Sequence, residues 1–189
     1  MTPSFDLRFT HMGFHVTDVE RMARFYRDVL GFTETDRGLL DTPLGALTLV
    51  FLSRDPDEHH QIVLLSGRPD PLAFNVINQI SLRTGSLPEL QALHAHLKGL
   101  AVDDLVPITH GNAFSIYFRD PEGNRIEIYV DSPWYVSQPV RVQAPMHLPT
   151  AELLAWAEAH ARTLPGFRPR SEWRAEIARR MRGEAAVQA

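Results

Sequence analysis

The chain repeats itself at an interval of about 68 residues. Residues 9–32 read FTHMGFHVTDVERMARFYRDVLGF and residues 77–100 read INQISLRTGSLPELQALHAHLKGL. Each is a short alternating run, then a helix start of the S/T-x-x-E type, an amphipathic stretch and a glycine. Thr17 with Glu20 and Ser86 with Glu89 are the expected capping boxes, and Gly31 and Gly99 the expected helix stops. A chain that runs strand, helix and extended segments twice over is constrained to a duplicated α+β architecture. His11 and Gln79 fall at the same place in the two repeats.

The rest of each half fits the same plan. Residues 8–16 alternate as a strand, and 18–30 place Val19, Met22, Ala23, Tyr26, Val29 and Leu30 on one helical face. Extended segments are expected at 32–38, 45–53 and 60–66, with DRGLLDTPLG supplying turns. The Pro- and Gly-containing stretch SGRPDPLAFN links the halves. The second half predicts a strand at 78–84, a helix at 87–98, a strand near 104–108 and a hairpin of 113–119 with 124–131. Asp120-Pro121-Glu122-Gly123 is the turn of that hairpin. The two repeats span about 7–67 and 75–132 within a domain of residues 1–132, and residues 133–189 form an extension. In that extension a Pro-rich, aromatic arm precedes helices at 151–163 and 171–182, with Thr150 and Ser171 as N-caps and Trp156 and Trp173 as anchors. The last residues are expected to fray.

Composition removes several classes of function. The chain has 189 residues, a formal net charge of −4, 44% hydrophobic and 22% charged residues. This is ordinary globular chemistry; it lacks the basic stripe of a nucleic-acid binder and the long apolar run of a membrane span. No basic-then-apolar leader pattern opens the sequence, so a cytoplasmic location is expected. With no cysteine, any metal must be held by His, Asp, Glu or amide oxygen.

Four polar residues recur at repeat-related places: His11, His60, Gln79 and Glu127. They suggest a metal site shared by the repeats. Each has a plainer reading as well. His11 could be a packed or surface strand residue, and Glu127 in NRIEIYV could face solvent. His60 follows His59, so alternation turns one of them inward; aligning the halves makes it His60. Gln79 could simply bond neighbouring backbone. Tyr117, ten residues before Glu127, could donate a proton or steady an oxyanion, or be a core aromatic. His110, in THGN, stands in a loop where a substrate could enter.

With these residues in view, the chain resembles the vicinal oxygen chelate superfamily, which includes glyoxalases, bleomycin-resistance proteins and extradiol dioxygenases. The resemblance covers about residues 7–132 and rests on the duplicated unit, His11 before the first helix, FYRDVLGF, and YFRDPEGNRIEIY. It implies two βαβββ modules forming a partly closed mixed sheet around a metal site, with a C-terminal helical extension. Within the superfamily the pattern is most similar to small single-domain extradiol ring-cleaving dioxygenases. That resemblance implies His11 and Glu127 as metal ligands, with Gln79 at the place of the third, and His60 and Tyr117 as catalytic residues; His110 joins them as a candidate from its position in the loop, where a plain loop residue is the other reading. It also implies a divalent cofactor, Fe(II) first, with Mn, Ni, Zn or Co as alternatives. One departure stands out: where those enzymes carry a second metal-binding histidine, this chain has Gln79.

The function expected is therefore an extradiol-type dioxygenase-like enzyme taking a catecholic aromatic substrate and O2. A glyoxalase-like lyase or isomerase, acting on a carbonyl substrate through four ligands (His11, His60, Gln79, Glu127), is the alternative. A metal-free small-molecule binding protein of the same fold is the third. Neither nucleic acid nor membrane is expected as a partner. The C-terminal helices either cover a sheet face or clasp a second subunit into a homodimer.

Overall fold

The computed structural model describes residues 8–43, 45–71 and 73–183. The expected final fraying, at Gln188 and Ala189, lies outside them. Along the chain run β1 (Met12–His15), α1 (Val19–Asp28), β2 (Thr33–Thr42), β3 (Gly45–Ser53), β4 (Ile62–Leu65), β5 (Ile80–Arg83), α2 (Leu87–Gly99), β6 (Val106–Thr109), β7 (Ala113–Arg119) and β8 (Arg125–Asp131). There follow β9 (Trp134–Tyr135), β10 (Val142–Gln143), α3 (Thr150–Ala161), β11 (Arg168–Pro169) and α4 (Arg170–Met181). The chain divides into two units, the first comprising residues up to Val76 together with Asp120–Asn124, the second the remainder.

The first unit holds a mixed sheet of order β1-β4-β3-β2, in which β1 runs parallel to β4. The expected face of α1 is the one that is buried: Met22, Ala23, Tyr26 and Leu30 pack with Phe14, Val50, Leu52 and Leu64. Each large side chain among them contributes roughly 1.5–3 kcal/mol. Two expectations fail here. The DRGLLDTPLG stretch is mostly strand, because after an irregularity between Glu34 and Asp36 β2 stays in register with β3 from Asp36↔Phe51 to Thr42↔Gly45. The N-cap of α1 is Asp18, which accepts from Arg21 N at 2.9 Å. Thr17 does not cap, and the Glu20 carboxylate pairs with Arg37. Gly31 does end the helix, at φ +67, a conformation that favours glycine.

The second unit holds a sheet of order β10-β6-β7-β8-β5, with β5 parallel to β8. Its core is Ile80, Leu90, Leu97, Phe114, Ile116, Phe118, Ile126 and Ile128, and α2 packs on β7 and β8. Ser86 caps α2 as expected, accepting from Glu89 N at 3.3 Å. The return bond from Glu89 goes to Gly85 N at 3.0 Å. Gly99 lies inside the helix, and the left-handed residue beyond it is Ala101 at φ 52.

Both later helices begin after proline without a side-chain cap, at Pro149 and Pro169, so Thr150 and Ser171 are not caps. Thr150 instead donates to Gln91 Oε1 at 2.6 Å. α3 is anchored by buried Leu153, Ala157 and Ala161; Trp156 is half-buried and stacks on His160. α4 buries no residue. It is held by Trp173 stacked on Tyr135 at 5.1 Å and by the ion pairs Arg168–Glu176 at 2.5 Å and Arg170–Asp131 at 2.7 Å. Among the described residues no helix is long and apolar enough to cross a membrane.

Candidate active site

The hairpin of β7 and β8 explains why Tyr117 and Glu127 are ten residues apart. Its ladder places Tyr117 directly opposite Glu127, and β5 places Ser81 opposite Glu127 on the other side. Cross-strand partners share a sheet face. The Glu127 carboxylate is 7% exposed and accepts from four neutral donors. Ser81 Oγ and Gln79 Nε2 donate to Oε2 at 2.6 and 2.7 Å. Tyr117 OH and Ser115 Oγ donate to Oε1 at 2.6 and 2.8 Å. Glu127 therefore does not face solvent, and Gln79 bonds side chains, not backbone. Ser81 and Ser115 were not foreseen, because only the strand register shows that they flank the carboxylate.

His110 extends this network. Its Nε2 lies 2.8 Å from Tyr117 OH and its Nδ1 2.7 Å from the Val140 carbonyl. A carbonyl only accepts, so Nδ1 carries a proton. The Tyr117 hydroxyl has a single proton: while it is given to Glu127 Oε1, Nε2 meets the phenol oxygen only by donating, as an imidazolium, and with a neutral ring the proton turns to Nε2 instead. In both cases the three side chains form a path along which a proton passes between Glu127 and His110. Burial, reinforced by the Glu127 carboxylate, pushes the Tyr117 phenol above its ordinary pKa, so the path keeps its central proton.

In the first unit the structure brings His11 and His60 together, with ring centroids 4.4 Å apart. His59 Nδ1 is 2.9 Å from His60 Nδ1, and Phe51 packs against both rings. His60 is not in a strand: β4 begins at Ile62. Nor is it the repeat counterpart of Glu127. Gly13 pairs with Val63 as Ser81 pairs with Glu127, and Phe51 pairs with Val63 as Tyr117 pairs with Glu127. By the same register Leu49 stands where the second half has Ser115. The first half thus presents an apolar copy of the polar cage, and the strand position of a fourth ligand is occupied by valine.

The side chains present suit a divalent cation with a preference for nitrogen and oxygen. The Glu127 carboxylate is buried among neutral hydroxyl and amide donors, with His110 Nε2 3.8 Å away, and a buried charge without a counter-charge is costly. The Gln79 NH2 group is committed to Glu127 and Ser81, which leaves its oxygen as a donor. His11 Nδ1 lies 2.9 Å from Thr10 Oγ1. Among the described residues no three His, Asp or Glu side chains form a metal cluster by themselves.

The DPEG turn has a role that the sequence did not disclose. Glu122 accepts from the backbone N–H groups of Thr17 and Asp18 at 2.7 and 2.8 Å and from Arg68 at 3.1 Å. Asp120 accepts from Glu122 N, Asn124 N and Asn124 Nδ2. Glu122 thus takes the Thr17 N–H that Glu20 would have accepted from in a capping box at Thr17, and the Asp18 N–H besides.

A duplicated βαβ-type unit with a carboxylate-centred polar face defines a class, and comparison identifies it. The profile of the Glyoxalase/Bleomycin resistance protein/Dioxygenase superfamily matches residues 8–128. The chain belongs to this superfamily. It is 27% identical over 130 residues to biphenyl-2,3-diol 1,2-dioxygenase 3 of Rhodococcus globerulus, across 66% of this chain and 64% of that protein. It is 30% identical over 133 residues to catechol-2,3-dioxygenase of Bacillus subtilis (strain 168), across 66% of this chain and 42% of that protein. The matched region thus spans less than two thirds of either relative. Among solved structures, the glyoxylase/bleomycin resistance protein/dioxygenase domain from Frankia sp. EAN1pec shares the fold. Its TM-score is 0.53 at 22% identity, covering 68% of this chain and 99% of that one.

Proposed function

We propose that the chain is a metal-dependent, extradiol-type dioxygenase that opens a catecholic ring with O2. The observation that carries this reading is the alignment of His110, Tyr117 and Glu127 in one hydrogen-bonded path, with Tyr117 directly across the hairpin from the carboxylate. In this reading Glu127, Gln79 and His11 hold the ion, taken as Fe(II). When bound, the ion supplies the electron transfer that lets oxygen react with an aromatic ring. The chain's own residues bind, orient and move protons. Tyr117 hydrogen-bonds a substrate oxygen, and His110 Nε2 takes up or returns the proton that passes through the phenol. His60 lies below the usual imidazole pKa, through desolvation first and then the neighbouring His11 and His59. That shift favours its neutral form. The dioxygenase names of the relatives support the same substrate class. The four-ligand isomerase reading is weakened by Val63, which cannot ligate at the position equivalent to Glu127.

Equilibrium binding of Fe(II) under anaerobic conditions tests the donor set. Glu127→Ala and His11→Ala should each weaken binding on the order of tenfold to a hundredfold, and Gln79→His should tighten it by a comparable factor. Binding that is indifferent to Glu127→Ala would overturn the proposal.

A further inference from the structure

We infer that Arg125 and Arg141 form a subsite beside Tyr117 that receives an anionic substituent of the ligand. Resting on the reading above, this makes the substrate an acidic catechol, one that carries a carboxylate, rather than a neutral diol.

One step beyond the Tyr117–Glu127 pair, Arg119 lies directly opposite Arg125, on the same sheet face. Like charges in that position repel, so the pair calls for anions. Asp104 supplies one, at 3.0 Å from Arg119 Nε. Arg125 has no such partner: its guanidinium lies over the Tyr117 ring, 5.9 Å from the centroid, and among the described residues it makes no ion pair. Arg141, exposed in the arm before β10, makes none either, and its charge acts on the Tyr117 phenol, lowering its pKa against the larger effect of burial. These side chains line a cavity of about 180 Å3 together with Tyr117 and Asp104. Among the described residues lining it, three guanidinium groups stand beside the one carboxylate of Asp104, in a chain whose net charge is −4. Pockets for whole small-molecule ligands begin at roughly 300 Å3, so this one suits a substituent and not a second ring. Planar guanidinium groups match a carboxylate in two-point contact. Tyr117 belongs to both the cavity and the Glu127 network, so an anion seated here would leave its ring at the reacting end.

The test is calorimetric binding of 3,4-dihydroxyphenylacetate and of its methyl ester to the purified full chain at pH 7. The two probes share the catechol and differ in charge. The acid should bind roughly tenfold or more tightly than the ester, and added salt should weaken the acid alone. In the Arg125→Gln/Arg141→Gln variant the acid should fall to the level of the ester, with the ester unchanged. Arg141→Gln alone, at an exposed position, should remove part of the preference and stands in if the double variant fails to fold. Equal binding of acid and ester by the unaltered chain, or a preference that survives both variants, would overturn the inference. Turnover is a separate readout. A preference for the acid without ring cleavage would support this subsite and count against the dioxygenase reading.

Discussion

Ser115 is wholly buried and spends its hydroxyl on Glu127 Oε1. Removing it leaves that oxygen with Tyr117 as its sole close donor, in a place water does not readily reach. Ser115→Ala should therefore lower unfolding free energy by about 1–2 kcal/mol, measured by urea denaturation. An unchanged midpoint would mean that the carboxylate does not depend on this hydroxyl. Residues such as this one mark how far a sequence can be read. Tyr117 and Glu127 were legible because hairpin register turns a spacing into a contact. Ser81 and Ser115 were not, since a serine in a strand is commonplace until the opposing residue is known. His60 is legible in part: its ring lies against His11, but strand alternation does not reach back to it, since β4 starts at Ile62 and Val63 takes the place opposite Gly13.

At the scale of elements, the helices and strands followed from periodicity, but their ends did not. The capping box at Thr17 has the right letters; it loses to Glu122, which is 105 residues away and out of reach of any local pattern. Burial pushes the Glu122 carboxyl up, yet the backbone N–H groups of Asp18 and Thr17, the Thr17 hydroxyl and Arg68 together hold it below the usual carboxylate range. A carboxyl depressed in the folded state adds stability above its unfolded pKa, roughly 4.3. That contribution is lost as pH falls through the lower folded value. Glu122→Ala, which strands two N–H groups and a guanidinium, should cost about 2–3 kcal/mol at neutral pH. The gap between variant and wild type should narrow as the pH is lowered below the carboxylate range. Comparing the two chains is necessary because Asp120, raised by burial, shifts the wild-type curve in the opposite sense. A gap independent of pH would show that Glu122 acts by packing and not by charge.

At the scale of the whole molecule, the duplication was plain in the sequence, while the divergence of its halves required strand register. Leu49, Phe51 and Val63 stand where the second half has Ser115, Tyr117 and Glu127. The gene-level repeat has thus become one apolar and one polar copy of the same face. The terminal helix stands apart energetically. α4 buries no residue and rests on one aromatic stack and ion pairs, so its opening free energy should lie near the bottom of the range. Hydrogen exchange should find its amides about a hundredfold or more less protected than those of β7 and β8. Equal protection would reveal a further surface packed against α4, such as the second subunit of a homodimer.

The central claim is the ring-opening chemistry itself, and oxygen uptake by the Fe(II)-loaded chain tests it most directly. A panel of catechols, neutral and acidic, is added anaerobically, and oxygen is then admitted. Uptake should be matched mole for mole by a yellow ring-fission product. Both should be abolished in Glu127→Ala and slowed by about 10²-fold or more in Tyr117→Phe. A chain that holds Fe(II) stoichiometrically yet consumes no oxygen with any catechol in the panel would contradict it.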